Sequence, residues 1–236
     1  TFYNLVFNNT AGFTISSGNV TASNALTLTS GVVTTGTNTL IFSPLTSCSV
    51  TRTSGRVNGK LRKHFSNSLL TCDFEVGDAS KYTPVSVTFA SVSTEGDLAV
   101  STISTGSASG DHFEVDASLT DIDRTQSVNR YWALQNTGIV FSTYVATFNF
   151  CDSTVTTDCP STDIDAGAAP TEFIIRRRST EYPAAGSWSN VTLGSALATS
   201  TTGTGIAGFG DFAIGRSSIR SFSHEREFIF QRERYY

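Results

Sequence analysis

The stretch Asn129–Phe150, NRYWALQNTGIVFSTYVATFNF, decides the fold class. It reads as a hairpin: two apolar, aromatic-rich strands joined by the turn Asn136-Thr137-Gly138. At the two-residue period of a strand, Tyr144, Ala146, Phe148 and Phe150 share one face, and Val145, Thr147 and Asn149 share the other. A face that apolar needs a second layer to cover it, so the hairpin is expected at the centre of a β-sandwich. Of the adjacent Tyr131 and Trp132 one must point inward. The bulk and apolar area of Trp132 assign it to the core.

Outward from this centre, strands are expected near Arg56–Leu61, Cys72–Val76, Val85–Phe89, Leu98–Ile103, Glu172–Arg177 and Phe212–Gly215. Turn residues separate most of them: Gly77-Asp78, Glu95-Gly96-Asp97 and Gly208–Asp211. Strands at this spacing favour a sandwich over a barrel or an α/β fold. The segment before residue 43 is different. TFYNLVFNN, GFTI, GNV, ALTLTSGVVTT and NTLIF are short runs punctuated by Gly and Asn. They fit either rungs of a β-solenoid or a plain meander, and in either case must pack on something else to bury a core. SPLTSCSVTRTS (Ser43–Ser54) reads as a boundary. The expected organisation is all-β: a short-strand layer and linker over 1–54, an Ig-like β-sandwich over 55–215, and an extended tail over 216–236.

Composition narrows the function classes. The 236 residues are 39% hydrophobic and only 15% charged, with no run apolar enough to span a membrane. A net charge of −4 argues against general nucleic-acid binding. Met is absent, even at position 1, so a processed chain or a segment of a longer one is expected. Cys48, Cys72, Cys151 and Cys159 form no CxxC motif and have no histidine at zinc-ligand spacing. Of the three possible pairings, Cys48–Cys72 with Cys151–Cys159 is favoured because each closes a local loop. A bridge over ~15 residues contributes about 3 kcal/mol in the chain-entropy view. Disulfides in turn point to an extracellular setting.

GRVNGKLRKHF, FEVGD, YTPVSVTF, NRYWAL, FIIRR, GSW and GFGDFAIG occur in that order after the N-terminal short-strand segment. This series resembles a β-rich domain of large secreted and cell-surface proteins of Bacteroidetes and related bacteria. The resemblance covers most of Thr1–Gly215. It implies export, a surface location and a structural or adhesive role, with no catalytic residue to carry over.

The tail SHEREFIFQRERYY departs from that pattern. At strand period Arg226, Phe228, Phe230, Arg232, Arg234 and Tyr236 share one face, while Glu225, Glu227, Ile229 and Glu233 share the other. A helix would mix the two charges, so an extended strand about 40 Å long is expected, at ~3.3 Å per residue. Such a strand docks either on its own domain or on a neighbouring copy, making Arg226, Phe228, Ile229, Phe230, Arg232, Arg234 and Tyr236 candidate subunit contacts.

No catalytic constellation is legible. His64, His112 and His224 are scattered and sit beside no nucleophile. Asp158, Asp163 and Asp165 in DCPSTDID are weak candidate Ca²⁺ ligands, against the simpler reading of a solvated acidic loop. Trp188, in an expected loop, is a candidate glycan platform. Arg176-Arg177-Arg178 reads as a surface strand paired with acidic loops. These features favour a non-enzymatic secreted structural protein, a self-associating subunit of a surface fibre or an adhesin. The alternative is a carbohydrate-binding module of a larger extracellular protein.

Overall fold

The structure is a computed structural model that describes residues 1–105, 121–153, 159–181 and 186–218. The chain is all-β, built around one large sheet and one small one. The large sheet begins as a parallel coil. Strand β1 (Phe2–Asn8) lies parallel to β3 (Val20–Ser30), β3 to β4 (Val32–Phe42), and β4 to β6 (Arg56–Phe65). Short strands β2 (Phe13–Thr14), β5 (Thr51–Arg52) and β8 (Val76–Gly77) pair parallel with β4, β3 and β6. Apolar side chains therefore stack in vertical rows. Phe13, Val33, Val57 and Val76 form one, and Leu5 sits beside Leu26. Gly31, at φ +80°, makes the one-residue corner between β3 and β4, where a Cβ would strike the Asn9 carbonyl. The N-terminal segment is thus a solenoid-like layer and not a meander. Two of its strands run to eleven residues, longer than the short runs suggest.

The coil does not end at a domain boundary. Strand β6 takes β4 as a parallel neighbour on one side and β11 (Gly96–Ser104) as an antiparallel neighbour on the other. The sheet continues antiparallel through β12 (Ile122–Thr137), β19 (Gly210–Ser217), β15 (Phe173–Arg178) and β16 (Trp188–Asn190). The row Leu40, Leu61, Val100, Leu134 crosses the expected boundary without a break, because its members are register partners and all are buried. Coil and sandwich share one hydrophobic core.

The small sheet has the order β17 (Thr192–Leu197), β18 (Ser200–Ile206), β14 (Tyr144–Asn149), β9 (Val85–Phe89), β7 (Thr71–Phe74). It corrects the reading of the central stretch. β12 and β14 are not a hairpin; they belong to opposite sheets. Asn136 clamps the turn, donating from Nδ2 to the Ile139 carbonyl and accepting the Ile139 amide at Oδ1, both at 2.9 Å. After it β13 (Val140–Phe141) pairs with β10 (Val92–Thr94) and carries the chain across the core. Trp132 and Phe148 then meet between the sheets with their rings tilted at 49° and their centroids 5.3 Å apart, and Phe212 lies 4.9 Å from Phe148. Tyr144, Ala146, Phe148 and Phe150 all point inward as the period-two pattern expects, and Trp132 is fully buried.

Two disulfides are formed, Cys48–Cys72, which ties the loop before β5 to β7, and Cys151–Cys159. Beneath the first, the fully buried Lys63 donates to the Cys48 carbonyl (2.8 Å), the Asp73 carbonyl and Glu75 Oε2 (2.8 Å). Burial pulls the Lys63 amine below its usual range and pushes the Glu75 carboxyl above its own, and their mutual attraction opposes both shifts. Removing a single partner strands a polar group in the core. The 219–236 tail, with all seven of its candidate subunit contacts, lies outside the described residues.

Chemical denaturation checks this packing. Phe148→Ala should lower the unfolding free energy by about 3–5 kcal/mol, as truncation of a buried aromatic does. Val145→Ala, on the opposite face of the same strand, should cost about 0.5 kcal/mol or less. Equal losses at the two positions would reject the inward face assigned here.

Candidate binding face and the charge cluster behind it

One buried residue organises the middle of the sandwich. Arg130, on β12, uses all five of its N–H donors. Nε and Nη2 form a bidentate pair with Asp163 (2.8 and 2.9 Å), Nη2 also reaches Asp78 Oδ2 (2.8 Å), and Nη1 serves the hydroxyls of Thr83 and Thr102 (3.0 and 2.9 Å). Lys81 adds its ammonium to Asp163 Oδ1 at 2.7 Å, so two cations face two carboxylates. The Asp163 backbone is pinned as well: its N–H donates to the Cys151 carbonyl and its carbonyl accepts the Asn129 N–H, both at 2.7 Å. The Cys151–Cys159 bridge closes the same loop. Burial pushes the Asp78 carboxyl up, but the hydrogen bonds from Arg130 and from the Ser80 and Lys81 amides outweigh it and hold the group at about 2.

This geometry reassigns the acidic loop. Both Asp163 oxygens are occupied by cationic side chains, and the Cys151 amide shares Oδ2. Asp163 is a counter-ion, and a cation placed there would face Arg130 and Lys81. Asp165 accepts from the Ser127 amide and hydroxyl and from Asn129 Nδ2, which ties the loop to β12. Asp158 lies outside the described residues, as does His112. Among the described residues no three His, Cys, Asp or Glu side chains gather as a metal site.

Other candidates fall in different places. Trp188 opens strand β16 at the end of the large sheet and is half-buried against the patch of Ile122, Ala213 and Ile174, so it belongs to a strand and not to a loop. Arg176 forms an ion pair with Asp121, as a surface strand paired with acidic loops would, whereas Arg177 donates to the Phe209 carbonyl and Arg178 is buried. His64 lies between Asp97 (3.0 Å) and Glu95 (3.7 Å) on the outer face of β6.

Sequence reasoning missed a trough of about 490 Å³ on the large sheet. Ser101 and Ala133, register partners on β11 and β12, are small and form its floor. Tyr131 and Ile103, the next partners along, rise beside them, with Lys60 and Asn58 of β6 opposite. Asp211 and Glu181 line the far side. The β4 strand bulges out of register with β6 between Thr34 and Thr39, which brings Gly36 to the rim. The only signal for the trough in the sequence was the alternation that turns Tyr131 outward when Trp132 turns in. Comparison with family models, with curated proteins and with solved structures finds no match for this chain.

The cluster makes two predictions for thermal and acid unfolding. Asp163→Asn should destabilise by about 3–5 kcal/mol, because it leaves Arg130 and Lys81 without their shared counter-ion. Asp78 has a folded pKa below its ordinary 3.8, so its contribution is complete above about pH 4 and is lost as pH falls towards about 2. Asp78→Asn should therefore flatten that acid limb, and an unchanged limb would place the acid sensitivity elsewhere.

Proposed function

We propose that the protein is a non-enzymatic, secreted structural protein, a subunit of a surface fibre or adhesin whose copies join by strand addition. The observation that carries the reading is the outer edge of β1. Among the described residues, Phe2–Asn8 is the terminal strand of the large sheet and pairs on one side only, with β3. It holds no charged residue and no proline, the usual guards of a sheet edge. Phe2, Tyr3 and Val6 are 51%, 70% and 59% exposed. The rows of the coil, Phe7 beside Leu28 and Leu5 beside Leu26, end there among the described residues, with Phe7 buried and Leu5 half-buried. A strand from a second copy continues the rows and pairs the backbone. Two disulfides suit an oxidising compartment, and the resemblance to secreted surface domains implies the same setting.

Sedimentation over a concentration series tests the reading. The full chain should form oligomers, and Val6→Lys, which puts a charge on the edge without touching the core, should leave a folded monomer. Deleting residues 219–236 separates donor from acceptor: loss of assembly with an intact β1 would make the tail the donated strand. A full chain that stays monomeric at every concentration overturns the proposal.

A further inference from the structure

We infer that the strand added at β1 is the β1 of a second copy, laid antiparallel about a two-fold axis at Leu5. The inference rests on the reading that copies join at this edge, and it names the partner strand and its register. On its inward face β1 has the same pattern from either end: Tyr3, Leu5 and Phe7 set an aromatic residue on each side of a central leucine. Pairing about Leu5 places it against Leu5 of the second copy and Tyr3 against Phe7 of the second copy. On the outward face Asn4 meets Val6 of the second copy. Residues directly opposite share a face, so inward side chains meet inward ones. The strand carries no charge, so no pair sets like charges against each other.

The strand is held ready for this pairing. Asn4 Oδ1 accepts from Asn24 Nδ2, and Asn8 Oδ1 accepts from the Ser30 hydroxyl, both at 2.8 Å. Phe7 is fixed against Phe13, with ring centroids 5.0 Å apart, and Tyr3, at 70% exposed, is the side chain that gains cover. The other sheet edges among the described residues fit less well. β16 has three residues, and β7 has four with Asp73 among them. β17 is six residues long and uncharged, but Gly194 is an extra residue against β18, a bulge of the kind that guards an edge. Where β1 and β3 fall out of register, the extra residue lies on β3, which leaves β1 regular. An edge that matches itself better than any other makes an isologous contact, in which one patch serves both copies.

The test is cysteine cross-linking of the full chain under mild oxidation, beside sedimentation of the unaltered chain. Non-reducing mass mapping checks that each variant keeps Cys48–Cys72 and Cys151–Cys159. Leu5→Cys should form a covalent dimer with itself. Asn4→Cys and Val6→Cys should link when the two variants are mixed, and neither should link alone. Opposed positions lie about 4.5–5.5 Å apart at Cα, within reach of a disulfide, whereas diagonal positions lie about 7–8 Å apart, beyond it. Should Leu5→Cys fail to fold, the exposed pair at positions 4 and 6 decides alone. A full chain that is monomeric at every concentration overturns the joining of copies and this inference with it. Assembly in which the mixed pair does not link, or in which Asn4→Cys or Val6→Cys links to itself, overturns the two-fold alone and leaves β1 to a different strand.

Discussion

Strand β6 carries the constraint on which the rest depends, because it must be parallel on one side and antiparallel on the other. A parallel coil returns every strand in the same direction and needs a connection for each return, whereas a sandwich reverses direction at each turn. Joining them in one sheet brings the carbonyls of Cys48 and Asp73 close to the seam. Lys63 meets them from the row Ala22, Phe42, Lys63, Leu98, where an apolar side chain would otherwise stand. Its ammonium reaches the carbonyls of Cys48 and Asp73, the first in the loop beside the coil and the second on the small sheet. The Cys48–Cys72 bridge joins the same two segments covalently. A buried ion pair contributes little net stability over an apolar replacement, so its value here is geometric. It admits one way of bringing coil and small sheet together.

The Arg130 cluster does the same work in the middle of the sandwich. It gathers β12, the Asp78 turn, Thr102 of β11 and the Asp163 loop. Every donor of the guanidinium has an acceptor, and unmade hydrogen bonds are what would make such a group costly. The face above it inherits that rigidity, since Tyr131 is the next residue along the same strand.

Much of the fold was legible because it rests on local alternation. The inward set Tyr144, Ala146, Phe148 and Phe150 follows from period two alone, and Val85–Phe89 forms one strand over the span that its apolar and β-branched residues mark out. Alternation cannot say which sheet a strand joins. NRYWAL and TYVATFNF have the same pattern whether they pair with each other or face each other across a core, and that is where the hairpin reading failed. The coil's strands looked short because Thr, Ser and Asn fill their outward positions and break the apolar runs. The strands at Trp188–Asn190, Thr192–Leu197 and Ser200–Ile206 went unread for a related reason: WSNVTLGSALATSTTGTGI has little apolar alternation, and pairing rather than burial holds much of it. The trough was out of reach entirely. Its walls come from positions 60, 101, 131, 181 and 211, which only the register of the sheet brings together. The acidic loop misled because Arg130, its real partner, lies 33 residues away.

These observations leave an inverted distribution of charge. Only 15% of the residues are charged, yet Arg130, Lys63, Lys81, Asp163 and Glu75 are all buried. The edge of β1, where sheet proteins ordinarily spend charges to prevent pairing, carries none. Burying charge fixes the internal geometry through hydrogen bonds that tolerate little displacement. Leaving the edge uncharged makes strand pairing there favourable, and the first row of the coil supplies apolar side chains to reward it. A chain that needed only to stay dispersed would gain from the opposite arrangement, with lysines at β1 and aliphatic side chains at position 63. Among the described residues, that placement of charge supports the proposed joining of copies at β1.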